Sequence, residues 1–380
     1  MLEDITVIEL ASVLAGPATG MFFSELGARV IKVENPAGGD VTRSWRHAAE
    51  SASSDITAYF SAVNWGKQSL SLDIKSAEGR EVIYKLALTA DIIISSFLPG
   101  TSQRLLLDAD TLLKINPRLI CAEINGYGPD DPRPAYDAII QAESGFTYLN
   151  GTPGNIGKMP VALMDLLAAH QLKETILLAL IRRMKTGKGG KVSVSLIESG
   201  ITALANQATN WLNSGIMPQP SGSEHPNIVP YGTIFTTADD KQLVLAVGTD
   251  AQFLALCNVL GILPPEEMFT NAGRVRLREQ VMAWITPEIS AYKRDDLLQL
   301  LLNAKVPAGA VNDMKDVFSI PIAGPMILKD EKWLGLRTFA GQGIGQKSLT
   351  PPPHLGQHSW QLLQDLGYTE EEIYRVLSSN

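Results

Sequence analysis

From Ile5 to Ile124 the chain alternates short apolar runs with helix-length segments, and this alternation limits the fold more than any single motif does. Ile5–Leu10, Arg29–Val33, Ser69–Asp73, Asp91–Ser95 and Leu119–Ile124 have the length and composition of buried strands, and Lys191–Leu196 adds another. Between the first two, Ala15-Gly-Pro-Ala-Thr-Gly20 opens a helix that Gly27 stops; a second helix runs from about Ala77 to Leu88. Strands separated by helices cannot pair as tight hairpins. They predict a Rossmann-like α/β domain, a mostly parallel sheet with helices on both faces.

At 380 residues the chain exceeds one comfortable hydrophobic core, so a second domain is expected. The Pro/Gly/Ser-rich stretch Gly215–Ser223 marks a connector. The predicted organisation is a large domain at 1–204, to which 335–380 return, a linker at 205–224, and a smaller α+β domain at 225–330. The smaller domain begins with a hairpin, Tyr231–Thr237 with Gln242–Val247, followed by helices to about Ala304. A net charge of −8 argues against a nucleic-acid partner, because phosphate binding needs concentrated Lys and Arg. The start lacks a basic leader and no apolar run is long enough for a bilayer, so a cytoplasmic protein without a membrane partner is expected. Cys121 and Cys257 sit in apolar strings as buried thiols, and the histidines lack zinc spacing, so no metal site is expected.

Generic motifs give no activity. Ala15-Gly-Pro-Ala-Thr-Gly20 departs from the dinucleotide-binding fingerprint because Pro17 follows the first glycine, although its helix N-terminus suits a phosphate or carboxylate. Thr186-Gly-Lys-Gly-Gly-Lys191 follows a helix and precedes a strand, the wrong order for a phosphate loop. Asp165 is more informative, as the lone carboxylate in the apolar run Lys158–His170 that opens a long helix. Two readings stand. An Asp there caps the first turn and complements the helix dipole. A partly desolvated carboxylate beside free amide donors is also a nucleophile.

Longer strings carry a family resemblance. Ile8-Glu-Leu-Ala-Ser-Val-Leu-Ala-Gly-Pro17, Leu26-Gly-Ala-Arg-Val-Ile-Lys-Val-Glu-Asn-Pro36, Asn64-Trp-Gly-Lys67, Phe97-Leu-Pro-Gly100, Asn125-Gly-Tyr-Gly128, the Asp165 helix, His225–Tyr231, Val306–Asn312 and Pro351–His358 resemble, in order, class III CoA-transferases, the CaiB/BaiF family. The resemblance implies an interlocked-ring homodimer that moves CoA from an acyl-CoA thioester to a free carboxylic acid. Short dicarboxylic or hydroxy acids, with a succinyl-CoA-type donor, fit best. Coenzyme A and acyl-CoA are then substrates, and no tightly bound cofactor is implied. Asp165 is similar to the family's nucleophile, passing through a mixed anhydride and an aspartyl-CoA thioester. An Asp of ordinary acidity is already ionised at pH 7 and needs no general base.

For CoA the resemblance points to Ala15, Gly16, Pro17, Lys32, Pro36, Arg43, Lys67, Phe97 and Arg104, and for the acyl end to Leu14, Tyr136, His225 and Tyr231. The plain alternative for each cation is a solvated surface charge, and for His225, Tyr136 and Tyr231 simple packing. Trp65 and Leu98 stand where relatives often carry Arg; Trp65 is a candidate to stack on adenine. α-Methylacyl-CoA racemases share the fold but pair the Asp with a histidine, where this chain has Tyr136. Racemisation therefore lacks its second base. A CoA-binding protein without turnover is the other alternative.

Overall fold

The computed structural model describes residues 1–378. These fall into two compact units, the first formed by Met1–Ser144, Met159–Leu204 and the chain from Gly324, the second by Gly145–Lys158 and Ala205–Ala323.

The first unit is built on six parallel strands: β1 (Thr6–Leu10), β2 (Arg29–Glu34), β3 (Lys67–Ser71), β4 (Ile92–Ser95), β5 (Ile120–Asn125) and β6 (Gly190–Ser195). Their order is β3-β2-β1-β4-β5-β6. The chain therefore builds outward from β1 in one direction and then crosses back to β4. Ligands of such sheets bind at this reversal, outside the carboxyl ends of the strands.

Both faces of the sheet are buried, as the continuous apolar runs require. Ile8, Ile31, Ile93 and Cys121 point into one core, with Val82, Ile83 and Leu86 of helix α2 (Ala77–Thr89) and Leu362, Leu363, Ile373 and Val376 of the tail. Val7, Val30, Ile92, Ile94 and Ile120 point into the other. There they meet Phe22 and Phe23 of helix α1 (Ala15–Glu25) and Leu172, Ile176 and Ala179 of the longest helix, Leu163–Thr186. Each of the Val, Leu, Ile and Phe side chains contributes roughly 1.5–3 kcal/mol through burial. Between α2 and that long helix lies Asp137–Glu143, here α3, so the long helix is α4; Leu196–Ala203 is α5. Gly187, left-handed at φ 73°, ends α4 just past Arg183 and Lys185.

The second unit carries an antiparallel sheet of β7 (Tyr231–Thr236), β8 (Gln242–Ala246) and β9 (Ala308–Ala310), with β8 central. Helices Asp250–Leu260, Arg278–Ser290 and Arg294–Asn303 close its core around Phe253, Ile285 and Leu297. The boundaries differ from the expected ones. Helix Ala205–Ser214 occupies half of the stretch read as a linker, and 145–158 join the second unit. The hairpin Ile327–Lys329 with Leu334–Leu336 belongs to the first unit, although its first strand lies within the stretch read as the smaller domain's end. The last two positions of the expected returning tail lie outside the described residues. No helix among the described residues is long and apolar enough to cross a membrane.

Candidate active site

The carboxyl ends of β1, β4 and β5 meet in a cleft of about 250 Å³. The segment after β1 supplies Ser12–Gly16, that after β4 Ser96–Pro99, and the end of β5 with the segment after it Asn125, Gly126, Asp131 and Arg133–Tyr136. Asp165 enters from the first turn of α4. Two close approaches shape it. A Cβ on Gly16 would collide with the Ala11 side chain, and one on Gly126 with that of Ala135. Glycine at these points lets α1 start against β1, and lets the loop after β5 fold back to bring Tyr136 to the opening.

Asp165 is 9% exposed. It caps nothing: the α4 cap position is Ala162, and the carboxylate that serves the helix start is Asp137, whose Oδ1 accepts the Met164 N–H at 2.8 Å. The other Asp137 oxygen accepts Gln141 Nε2 at 2.8 Å. No donor among the described residues reaches the Asp165 carboxylate. Burial, and then the like charge of Asp137, push its pKa from 3.8 up to about 7. The expectation of an Asp of ordinary acidity is therefore not met, because burial and Asp137 both favour the neutral carboxyl. Tyr59, in the cluster with Leu14 and Ala169, has its phenol pushed up by burial and then by Asp165 and Asp137. Trp45 packs edge-on against it at 5.1 Å.

Leu14, Ala15, Gly16, Phe97 and Tyr136 of the expected residues line the cleft with Asp165. The first-turn N–H groups of α1 at Ala15 and Gly16 have no intrahelical partner, and Pro17 has none to donate. Three expected phosphate ligands are elsewhere. Lys32 is buried, with Nζ 3.0 Å from Glu9, 2.9 Å from Asp40 and 2.9 Å from the Ala11 carbonyl. Burial works against its charge, but Glu9, Asp40 and Glu34 overcome this and raise its pKa. Lys67 donates to Glu9 at 2.8 Å, the Pro17 carbonyl at 2.8 Å and Asn64 at 2.9 Å. Burial lowers its pKa to about 8, against the pull of Glu9. Arg43 grips Glu34 through Nε at 2.7 Å and Nη2 at 2.8 Å, beneath the Phe60 ring. These are scaffold cations rather than ligands, because every donor direction is already filled by buried acids and carbonyls.

The two lysines fasten both ends of the segment 11–17, and Asp40 accepts the N–H of Val13 at 3.1 Å. Val13 has φ 71°, a costly conformation for a β-branched residue, held by this network at the rim of the cleft. Pro17 is buried, and Pro36 is half-buried in the turn after β2. Arg104 is exposed, donates to Thr101 Oγ1 at 2.9 Å, and has no acidic partner among the described residues. Trp65 is fully buried where Gly335 crosses its indole, so it does not stack on a ligand. His225 and Tyr231 lie in the second unit with ring centroids 5.2 Å apart. Residues that sequence patterns did not single out are Asp137, Arg133, Tyr59 and Trp45. Arg133 lies inside the Asp130-Asp-Pro-Arg-Pro134 loop, whose only signal is a cation among turn formers.

Comparison with known proteins places these features in context. The family described as CoA-transferase family III matches residues 2–359. A succinate–glutarate CoA-transferase of Agrobacterium fabrum is 37% identical, covering 96% of this chain and 95% of its own length. The succinyl-CoA:glutarate CoA-transferase of Mus musculus is 32% identical, covering all of this chain and 89% of its own. A crystal structure of a CAIB/BAIF family protein from Brucella suis aligns at TM-score 0.82 and 37% identity, covering 95% of this chain and 98% of that one.

Proposed function

The chain belongs to CoA-transferase family III, and on that premise we propose that it moves coenzyme A from an acyl-CoA thioester to a free dicarboxylic acid through covalent intermediates on Asp165. The observation that carries this reading is a buried carboxylate without a hydrogen-bond partner, set in the cleft at the sheet's reversal point. Such a group is poorly solvated and ready to attack a carbonyl.

An Asp165 oxygen attacks the thioester carbonyl and expels the CoA thiolate, leaving a mixed anhydride. The thiolate attacks the aspartyl carbonyl and releases the first acid, giving an aspartyl-CoA thioester. The acceptor carboxylate displaces the thiolate to form a second anhydride. Attack of the thiolate on the acceptor's acyl carbon then frees product acyl-CoA and restores Asp165. Each addition puts negative charge on an oxygen, and the free N–H groups of Ala15 and Gly16 at the positive end of α1 are suited to receive it. Phe97, Leu98 and Pro99 offer apolar surface to the pantetheine arm, and exposed Arg104 is the remaining candidate for a phosphate. The names of the relatives support dicarboxylic substrates with a succinyl-CoA-type donor. No histidine is among the described residues lining the cleft, which leaves a racemase without its second base.

The test is to incubate protein with succinyl-CoA, quench with hydroxylamine and map the product by mass spectrometry. A hydroxamate at Asp165, absent from Asp165→Ala, is expected. Deuterium exchange at C2 of an acyl-CoA without any free acid, and no hydroxamate, would overturn the reading in favour of a racemase.

A further inference from the structure

We infer that Arg133 is the subsite for the remote carboxylate of the dicarboxylic acid, the group that does not react. This rests on the transferase reading above and adds what selects the substrate. Arg133 is the only Lys or Arg among the described residues lining the cleft that holds Asp165. The other ionisable lining residues that carry negative charge are Asp131 and Asp165, so a second substrate carboxylate entering without Arg133 would meet only like charge.

The guanidinium is built to take a carboxylate. Its Nε lies 3.1 Å from both oxygens of Asp131 and its Nη2 2.9 Å from one of them, a side-on fork already gripping a carboxyl group. Nη1 is 3.5 Å from Glu143, and the group lies 3.7 Å above the Tyr127 ring, which holds its plane. Asp131 and Glu143 are partly exposed, with side chains 32% and 44% accessible, and such pairs hold weakly. A ligand carboxylate can replace either acid without leaving a buried charge behind.

A CoA phosphate does not fit here. The pantetheine arm separates the thioester from the phosphates by its whole length, whereas Arg133 and Asp165 line one small cleft. Only a group within the acyl chain's own reach of the reacting carbonyl meets Arg133 while that carbonyl sits at Asp165.

The test compares wild type, Arg133→Gln and Arg133→Lys, with glutarate and pentanoate as acceptors that differ by one carboxylate. In Arg133→Gln the ratio of kcat/KM for glutarate to that for pentanoate is expected to fall by roughly tenfold to hundredfold. The loss should be carried by the KM for glutarate, with the dissociation constant of desulfo-CoA unchanged. Arg133→Lys keeps the charge without the fork and should recover part of the ratio. Equal losses with both acids, or weakened desulfo-CoA binding, would overturn the assignment. Should wild type transfer CoA to no acid, the transferase reading falls on its own. Calorimetric binding of glutarate to wild type and Arg133→Gln then decides the subsite: equal binding sinks it, and loss in the variant upholds it.

Discussion

The first unit buries two kinds of carboxylate, and they behave in opposite ways. Glu9, Glu34 and Asp40 are almost fully enclosed, each with a cation within 3.0 Å. Asp165 is enclosed nearly as well and has none. Burial opposes ionisation of Glu34 and Asp40, yet Arg43 and Lys32 hold both below their ordinary range. The same burial, unopposed and reinforced by Asp137, takes Asp165 up to about 7. One set of acids locks the segment that lines the cleft, and Asp165 is left without a cation. A cation supplied or withheld separates the scaffold acids from the proposed nucleophile.

The contrast breaks most severely if a scaffold cation is removed. Lys32→Ala leaves Glu9 and Asp40 facing each other without their shared ammonium, and Asp40 also holds the strained Val13. Removing one partner from a buried pair costs about 3–5 kcal/mol, a clear drop in the urea midpoint. If Lys32→Ala instead unfolds like wild type but binds CoA weakly, Lys32 is a ligand and the scaffold reading is wrong.

The complementary change should have the opposite sign. Because the folded-state pKa of Asp165 is raised, its carboxyl is harmless to stability below about pH 4, where both folded and unfolded chains are protonated. As pH rises from about 4 to about 7 the unfolded chain ionises first, and the native state loses stability. Asp165→Asn removes that loss, so at pH 8 the variant should exceed wild type by roughly 1–3 kcal/mol while being inactive. At pH 4 the two should nearly coincide. Urea melts at both pH values measure the difference, and a variant less stable than wild type at pH 8 would mean the carboxylate has a partner after all.

How much of this was legible in the sequence depends on distance along the chain. The triple Ile92-Ile-Ile94, the Gly187 stop and the run around Asp165 are local signals, so the sheet, the long helix and the candidate nucleophile could be read directly. Leu14, Ala15, Gly16, Phe97 and Tyr136 follow strand ends or helix starts, where parallel sheets place their sites. Lys32, Lys67 and Arg43 misled because their burial is decided far away. Lys67 meets Glu9 across 58 positions, and Arg43 reaches the Pro353 carbonyl across 310. Read locally, each resembles a surface cation with an anion to find. Trp65 is hidden for the same reason, by a glycine in the late hairpin. Arg133 carries little local signal, because a cation between two prolines usually belongs to a solvated loop. The helix Ala205–Ser214 runs directly into the Pro/Gly/Ser stretch, and composition merged the two.

The finest test of the contrast asks how much of the Asp165 displacement comes from its neighbour. Attack requires the carboxylate, so kcat/KM should fall tenfold per pH unit below a midpoint near 7 and level off above it. Burial is the larger cause and Asp137 the smaller. Asp137→Asn keeps an oxygen for the Met164 N–H but deletes the like charge, so the acid limb should move to lower pH by a fraction of a pH unit, about 1 kcal/mol or less. Rates measured from pH 5 to pH 9 with saturating acceptor resolve a shift of that size. The amide this substitution introduces faces Gln141 Nε2, so some loss in the plateau rate is expected as well, and the diagnostic quantity is the midpoint. A midpoint that stays near 7 would assign the displacement to burial alone, while one that rises would reverse the sign of the interaction between the two aspartates and remove Asp165 from the class of bare acids.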